Sequence, residues 1–366
     1  MFDRRLLQNF DWGLLGITLI LCATGLLVLY SAVLIDDPQD MMPIFYKQIA
    51  WLGIGLFLMA LMLLFSYKSL DKWALSIYGL TVLLLVCVLV FGRQAGGSTR
   101  WLAMGPFTFQ PSELVKVGVI IVLARYFAKN VKQNGMGLRD LLIPMGLTAA
   151  PFFLVLIQPD LGTAGTIALI AASMALFVKI HRRTWMCFIL IAIVAIPVGW
   201  HLLYPYQRDR VLTLLSPEKD PLGAGYHIRQ SKIAVGSGLI LGKGYLNGTQ
   251  KKLSFLPEQH TDFIFSVLSE EWGFAGSMFL IFLFVVLMAF GINIAHSCRD
   301  SFGAILCVGV TAMIFWQVFI NIGMVTGIMP VVGMPLPLVS YGGSSVITLL
   351  IGIGILMNVS MRRFLN

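Results

Sequence analysis

The chain has 366 residues, of which 58% are hydrophobic and 12% are charged, and its formal net charge at pH 7 is +9. A soluble domain carries about 25% charged residues, so this composition excludes an ordinary soluble protein and is typical of a polytopic membrane protein. Long unbroken apolar runs favour helices over a barrel, because a helical span needs about 20 largely apolar residues.

Ten apolar segments predict about ten transmembrane helices. We interpret the first as a retained helix rather than a signal peptide, because it is too long and lacks a small-x-small cleavage site. The expected architecture is a single all-α polytopic transmembrane domain over residues 1–366. The predicted spans run near residues 12–34, 46–66, 74–92, 112–127, 141–158, 162–179, 185–204, 263–294, 303–326 and 345–361.

Basic residues predict the orientation, because they collect in the short loops and ends on one side of the spans. By the positive-inside rule that side is cytoplasmic, and both termini are expected there. A long loop of about residues 205–262, between the seventh and eighth spans, then lies outside. The irregular segments 91–113, 158–163 and 327–345 lie outside with it. The basic residues are Arg4, Arg5, Lys68, Lys72, Arg125, Lys129, Lys132, Arg139, Lys179, Arg182, Arg183, Arg299, Arg362 and Arg363.

Glu113 and Lys116 are three residues apart and therefore share one face at the start of the fourth predicted helix. Ionisable residues at membrane depth are costly, and they usually face a partner or a wet cavity. Two interpretations stay open. The residues form either a structural ion pair that satisfies itself, or a pair lining a polar cavity where Lys116 contacts an anionic group.

Two residues of the outer segments have both a structural and a functional interpretation. Asp160, in the turn 158–163, either caps the helix that follows or contacts the substrate. Arg100, which precedes Trp101, either anchors the chain at the membrane interface or binds a phosphate group bidentately.

The long outer loop is basic and rich in glycine. Its cations either attract anionic lipid headgroups or cradle a lipid diphosphate, with glycines that let backbone N–H groups approach closely. Residues 226–235 have the spacing of a helix lying on the membrane surface. The candidate phosphate-binding residues here are Arg208, Arg210 and Lys232.

Asp262 is the strongest candidate for catalysis, because a carboxylate stands where the polar loop meets an apolar helix. The structural alternative is an N-cap aspartate. A helix over 262–294 exceeds the hydrocarbon thickness, so its first turns, with Glu270 and Glu271, are expected to project outward or border a water-filled cleft. The neighbouring His260 is interpreted as a hydrogen-bonding loop residue at the substrate site.

Five motifs occur in order along nearly the whole chain, and together they resemble the SEDS family (shape, elongation, division, sporulation). The segment 321–337 is more similar to the elongation branch, RodA, than to the division branch, FtsW. The motifs are QPSELVK at 110–116, QPDLGT at 158–163, DPLGAGY at 220–226, FLPEQHTDFIF at 255–265 and PLVSYGGS at 337–344.

This resemblance implies a peptidoglycan glycosyltransferase that polymerises lipid II into glycan strands during cell elongation. The expected location is the bacterial plasma (inner) membrane, with the active site on the extracytoplasmic face. The expected partners are a class B penicillin-binding protein that cross-links the strands, lipid II, the growing glycan strand and membrane lipids, but no nucleic acid.

The resemblance also assigns roles to residues. Asp262 matches the essential aspartate of the family, and we hypothesise that it accepts the proton of a sugar hydroxyl that attacks the lipid-diphosphate donor with inversion. No dedicated metal site is visible, so a divalent cation, Mg²⁺ or Mn²⁺, would be shared by Asp262 and the diphosphate; no other cofactor is expected. The predicted substrate-binding residues are Glu113, Lys116, Arg100, Asp160, Arg208, Arg210, Lys232, His260 and Ser340.

Two other function classes remain as alternatives. A lipid II flippase or transporter would also use ten helices with intramembrane charges and proline-broken segments, but it predicts critical residues through both halves of the bilayer. A non-catalytic scaffold for a cell-wall synthase would leave Asp262 replaceable. The lack of a Walker motif, an HExxH motif and a CxxC pair argues against an ATP-driven pump or a zinc enzyme.

Overall fold

The computed structural model describes residues 9–34, 38–95, 98–104, 107–131, 135–184, 186–187, 190, 193, 208–209, 212–214, 224–248 and 260–363. Its main helices are α1 (Trp12–Leu34), α2 (Pro38–Leu64), α3 (Tyr67–Phe91), α4 (Pro111–Asn130), α5 (Leu138–Ile157), α6 (Leu161–Phe177), α7 (Ala224–Ser237), α8 (Ile264–Ser297), α9 (Ser301–Thr326) and α10 (Gly343–Arg362). Three strands, β1 (Arg93–Ala95), β2 (Ser98–Met104) and β3 (Phe107–Phe109), separate α3 from α4.

The helices confirm the predicted all-α polytopic membrane fold. Within the described part of the chain, seven helices are long and apolar enough to cross a membrane, and α6 is a shorter apolar helix. Nine of the ten predicted spans coincide with helices. The other, 185–204, lies largely outside the described residues. The helix expected at 226–235 is α7.

Small residues let the helices approach closely. A Cβ atom on Gly25 of α1 would collide with the backbone at Leu338, and one on Gly118 of α4 would collide with the Thr81 side chain of α3. Membrane helices gain little from hydrophobic burial against each other, so close backbone contact of this kind is a main source of their packing energy.

The strands form a small antiparallel sheet in the order β1-β2-β3. Arg93 pairs with Trp101, and Leu102 pairs with Phe109. Residues 91–113 were expected to be irregular, and the structure corrects this. The signal for strands was present, since Thr99, Trp101 and two phenylalanines flank glycine-containing turns, but it is short and weak.

Helix α8 is broken at Gly273, whose φ of 67° and ψ of −161° are not helical. The loop over 238–248 supplies backbone partners at the break. Phe274 N donates to Leu239 O at 2.8 Å, and Lys243 N donates to Glu270 O at 3.0 Å. The predicted uninterrupted helix is therefore wrong at this point, because backbone groups from a distant loop replace the helical hydrogen bonds.

The expectation that Glu270 and Glu271 project outward or border a water-filled cleft is also wrong, because each is 1% exposed. Lys243 Nζ lies 2.7 Å from Glu270 Oε1, and Ser31 Oγ donates to Glu271 Oε1 at 2.6 Å. A buried carboxylate needs a cation or hydrogen-bond donors, and the loop and α1 supply them.

Candidate functional site

The α9–α10 connection (residues 328–342) lies at the end of the molecule predicted to face outward. It has no regular helix or strand, yet Met334, Leu336, Leu338 and Ser340 are buried. Hydrogen bonds and close contacts join it to several helix ends. Several of the predicted site residues contact this connection or lie beside it.

Asp262 lies in the turn that precedes α8. It does not cap the helix, because the N-cap position is Phe263 and no side chain caps it. The Asp262 side chain is half-buried. Its Oδ2 atom lies 3.3 Å from the position that a Cβ atom on Gly333 would take, and Gly333 has a left-handed φ of 70°. The carboxylate therefore lies directly against the α9–α10 connection.

Asn321 of α9 fixes the backbone of this turn. Its Nδ2 atom donates to Asp262 O at 3.0 Å and to Met334 O at 2.6 Å. Asn321 is fully buried, and its Oδ1 atom has no hydrogen-bond partner among the described residues. One amide thus ties the Asp262 turn to the α9–α10 connection.

Ser340 is part of this connection, and His260 contacts it at Tyr341. Tyr341 N donates to His260 O at 2.9 Å, and the two rings are 6.1 Å apart. Burial raises the pKa of the Tyr341 phenol. Ser340 is buried; its Oγ accepts from Leu336 N at 2.8 Å, and its carbonyl accepts from Gln48 Nε2 at 3.1 Å. Both residues therefore shape the connection, and a substrate contact for either stays a prediction.

Asp160 is the N-cap of α6, as the structural interpretation had it. Its Oδ1 accepts from Thr163 N at 3.1 Å, and its Oδ2 accepts from Thr163 Oγ1 at 3.0 Å. Arg100 of β2 approaches it, with Nη1 3.8 Å from Asp160 Oδ2. The Arg100 guanidinium also donates to Gln158 O and Pro159 O, so it ties the sheet to the α5–α6 turn.

Gln110 links this corner to the first turn of α10. Its Nε2 lies 3.3 Å from Asp160 Oδ2, and its backbone N–H donates to Ser344 Oγ at 2.9 Å. Gly162, beside Asp160, packs closely against the α9–α10 connection, since a Cβ there would lie 3.0 Å from Val332 O. Asp160 and Asp262 therefore flank the same short stretch of backbone.

Glu113 and Lys116 follow Gln110 on α4, one to two turns deeper. Lys116 Nζ lies 2.8 Å from Glu113 Oε1, and their side chains are 0% and 5% exposed. The predicted ion pair is confirmed. The second carboxylate oxygen, Glu113 Oε2, and the neighbouring Ser112 Oγ have no hydrogen-bond partner among the described residues. Whether the pair lines a substrate cavity stays a prediction.

The basic residues of the long loop are only partly described. Lys232 of α7 is exposed, and a Cβ on Gly327, at the end of α9, would collide with the terminal atoms of its side chain. It therefore lies beside the start of the α9–α10 connection. Arg208 is half-buried, and Arg210 lies outside the described residues, as does the motif stretch 255–259.

A known protein family matches nearly the whole chain. The pattern of the FtsW, RodA and SpoVE proteins, described as “Cell cycle protein”, matches residues 12–364. The chain belongs to this family. It is the SEDS family that the motifs resemble.

One relative with a similar sequence is peptidoglycan glycosyltransferase MrdB of Escherichia coli strain K12. It is 42% identical over 356 residues, which is 97% of this chain and 94% of the relative. The predicted enzyme class, a peptidoglycan glycosyltransferase, is thereby confirmed.

Two solved structures share the fold. One is described as “Structural coordination of polymerization and crosslinking by a peptidoglycan synthase complex”; its matching chain has a TM-score of 0.83 at 33% identity, covering 98% of this chain and 99% of that one. The other is RodA of Thermus thermophilus, with a TM-score of 0.72 at 31% identity, covering 97% and 98%.

Sequence reasoning missed three amide side chains that assemble the SEDS site: Asn321, Gln48 and Gln110. Gln48 both donates to Ser340 O and accepts from Gly342 N at 3.2 Å. A signal was available for two of them, because Gln48 and Asn321 are amides in otherwise apolar spans, where polar residues generally have a partner or a function. Their partners could not be read from the sequence.

Proposed function

We propose that this peptidoglycan glycosyltransferase polymerises lipid II into glycan strands, with Asp262 as the general base. The observation that carries the proposal is the setting of Asp262. It is half-buried, does not cap α8, and lies on a backbone turn that Asn321 fixes against the α9–α10 connection. A carboxylate held in this way suits proton transfer better than it suits helix capping.

In the proposed reaction, a sugar 4-hydroxyl of one chain attacks the anomeric carbon of a second, lipid-diphosphate-linked sugar. The new C–O bond forms as the bond to the diphosphate breaks, with inversion. The hydroxyl proton passes to Asp262, and the lipid diphosphate leaves with the electron pair. General-base assistance of this kind contributes about 10²–10⁴-fold to rate.

Negative charge develops on the departing diphosphate, so cations near it stabilise the transition state. Lys232 is exposed beside the α9–α10 connection and suits this role. Lys116 is buried beside Glu113, whose second oxygen has no partner among the described residues; a buried acceptor of that kind favours a donor group from the substrate or from water. Arg100 suits the role less well, because its N–H groups already bind carbonyls.

A divalent cation at Asp262 would be shared with the substrate diphosphate. Within the ranges that the structure describes, no group of three or more His, Cys, Asp or Glu side chains could hold a metal ion. The donor set does not fit a resident metal, and no step depends on one. If Mg²⁺ or Mn²⁺ is shared with the diphosphate, EDTA should stop strand synthesis and either ion should restore it. Synthesis at full rate in EDTA would refute a role for the cation.

The proposed setting is the bacterial inner membrane, with Asp262 on the extracytoplasmic face and a class B penicillin-binding protein as partner. The basic loops support the orientation. The similarity to a chain from a peptidoglycan synthase complex that couples polymerisation and cross-linking supports the partner.

The test is strand synthesis by the purified protein with its partner, using labelled lipid II and gel analysis of the polymer. Asp262→Asn keeps the size of the side chain but removes the base, so strands should disappear while partner binding and thermal stability are unchanged. Strands at the wild-type rate from this variant would refute the catalytic role and favour the scaffold. If Asp262→Asn also abolished transfer of lipid II across vesicle membranes, the transport alternative would be favoured.

A further inference from the structure

The basic end of the molecule, opposite Asp262, contains an apolar groove between α4, α5 and α6. Its volume is about 460 Å³, in the range of small-molecule sites. Five alanines line it, Ala149, Ala168, Ala171, Ala172 and Ala175, and they leave space that larger side chains would fill. The groove borders the membrane side of the bundle, since Phe153 on its wall is 59% exposed.

Among the described residues that line it, the groove presents no free polar group. Thr148 is the one lining residue with a hydroxyl group, and its Oγ1 donates to Pro144 O at 2.8 Å. A surface of this chemistry binds an alkyl chain, and it offers nothing to a sugar or a peptide.

A basic cavity of about 680 Å³ lies immediately next to the groove. Its lining includes His181, Arg182 and Arg183. The two spaces adjoin, because neighbouring residues line them. Ile180 lines the groove and the next residue, His181, lines the basic cavity. On α5, Leu141 lines the groove and Leu138, one turn earlier, lines the cavity. An apolar space therefore opens directly onto a cationic one.

The junction between the two spaces is held by the backbone. Met136 N donates to Lys179 O at 2.9 Å, and His181 N donates to Met136 O at 3.1 Å. These bonds fix the chain after α6 against the chain before α5. In the described part of the molecule, Arg182 and Arg183 form no ion pair or hydrogen bond, and both are exposed.

We propose that this groove and cavity form a binding site for one anionic glycerophospholipid. Its acyl chain lies along the alanine-lined groove, and its phosphate contacts Arg182 and Arg183. Charge complementarity selects the occupant, since basic pockets between membrane helices bind anionic headgroups. By the positive-inside pattern, the lipid belongs to the cytoplasmic leaflet.

The substrate lipid fits this site poorly. Glu113 and Phe127 are 14 residues apart on α4, so the groove at Phe127 lies roughly 21 Å along the helix from Glu113 at 1.5 Å per residue. A diphosphate in the basic cavity would be still farther from Asp262. The site therefore serves a resident lipid that holds α4, α5 and α6 together, not the donor or the acceptor.

The experiment measures lipid binding to the purified full chain by native mass spectrometry. Phosphatidylglycerol and phosphatidylcholine with identical acyl chains are titrated separately. We expect preferential binding of phosphatidylglycerol, and Arg182→Gln/Arg183→Gln should weaken it about 25-fold, at about fivefold for each arginine. Arg299→Gln, which removes an exposed charge elsewhere at the same end, should leave the preference intact.

A second variant tests the groove itself. Ala172→Phe at an exposed position should fill it and weaken binding of both lipids, whereas Ala60→Phe on the exposed surface of α2 should not. Equal binding of the two lipids by the wild type would overturn the proposal. Full competition with phosphatidylglycerol by glycerol phosphate, which has no acyl chain, would also overturn it. So would displacement of phosphatidylglycerol by undecaprenyl phosphate to the same extent in the wild type and in the arginine variant. Strand synthesis is not the readout, so the proposed function stands or falls separately.

Discussion

Two buried asparagines, one at each end of the molecule, both donate hydrogen bonds to backbone carbonyls, but they join different kinds of segment. At the basic end, Asn358 of α10 donates to the carbonyls of Met62 and Phe65 and accepts from Tyr67 N at 3.1 Å. At the opposite end, Asn321 of α9 donates to the carbonyls of Asp262 and Met334.

The partners explain the difference. Asn358 satisfies the backbone groups at the end of α2 and the start of α3, which any helix end must satisfy. Asn321 joins two segments that are not helical, and one of them carries the catalytic candidate. Asn358 therefore closes a helix turn at the basic end, whereas Asn321 holds irregular backbone in one position around Asp262.

The largest effect is expected at the Glu113–Lys116 pair. Lys116→Met leaves a carboxylate buried without its cation, which should destabilise the protein by about 3–5 kcal/mol. Thermal unfolding in detergent measures the loss, and strand synthesis is assayed beside it.

The double variant Glu113→Gln/Lys116→Met separates structure from function. Replacing both charges should restore most of the stability, because no buried charge is left unpaired. If the pair serves the substrate, strand synthesis stays lost. Recovery of synthesis together with stability would show that the pair is structural and that the outer end resembles the basic end.

The two asparagines provide the next test. Each alanine variant leaves buried carbonyls without a donor, so Asn321→Ala and Asn358→Ala should each cost about 1–3 kcal/mol of stability. Only Asn321→Ala should lower kcat, by tenfold or more with little change in KM, since it releases the Asp262 turn. Equal kinetic effects from both variants would contradict the comparison.

The sequence predicted those parts that depend on neighbouring residues. The Glu113–Lys116 pair follows from helical spacing, and α4 begins at Pro111, where proline suits a first turn. The Asp160 cap was one of two interpretations of its motif, and α7 followed from its apolar spacing.

The parts that depend on distant residues could not be predicted. The break at Gly273 exists because the loop over 238–248 reaches it, and the α9–α10 connection is held by Asn321 at Met334 and by Gln48 at Ser340 and Gly342. None of these contacts leaves a local pattern. Asp262 was found by its place in the chain and by family resemblance, whereas the partners of Asn321, Gln48 and Gln110 lie far away in the sequence.

A matched pair of glycines tests how tightly the outer end is held. Gly333 and Gly135 have φ values of 70° and 93°, and a Cβ on either would meet an oxygen at 3.3 Å. That oxygen is Asp262 Oδ2 for Gly333 and Lys179 O, at the basic end, for Gly135. Both alanine variants should lose about 1–2 kcal/mol from the left-handed backbone, but only Gly333→Ala should slow strand synthesis. Equal rates would place Asp262 in a looser setting than proposed.

The smallest effects are expected at two arginines, which again occupy opposite ends. Arg100 ties β2 to the carbonyls at Gln158 and Pro159, and Arg125 ties α4 to the carbonyls at Asp71 and Lys72; each also lies 3.8 Å from a carboxylate. Because these pairs are partly exposed, either alanine variant should cost at most about 1 kcal/mol. Arg100→Ala should lower strand synthesis only severalfold, through the α5–α6 turn, and Arg125→Ala should not change it. A loss above a hundredfold for Arg100→Ala at unchanged stability would show that its guanidinium leaves those carbonyls to bind the diphosphate, the role that the sequence also allowed.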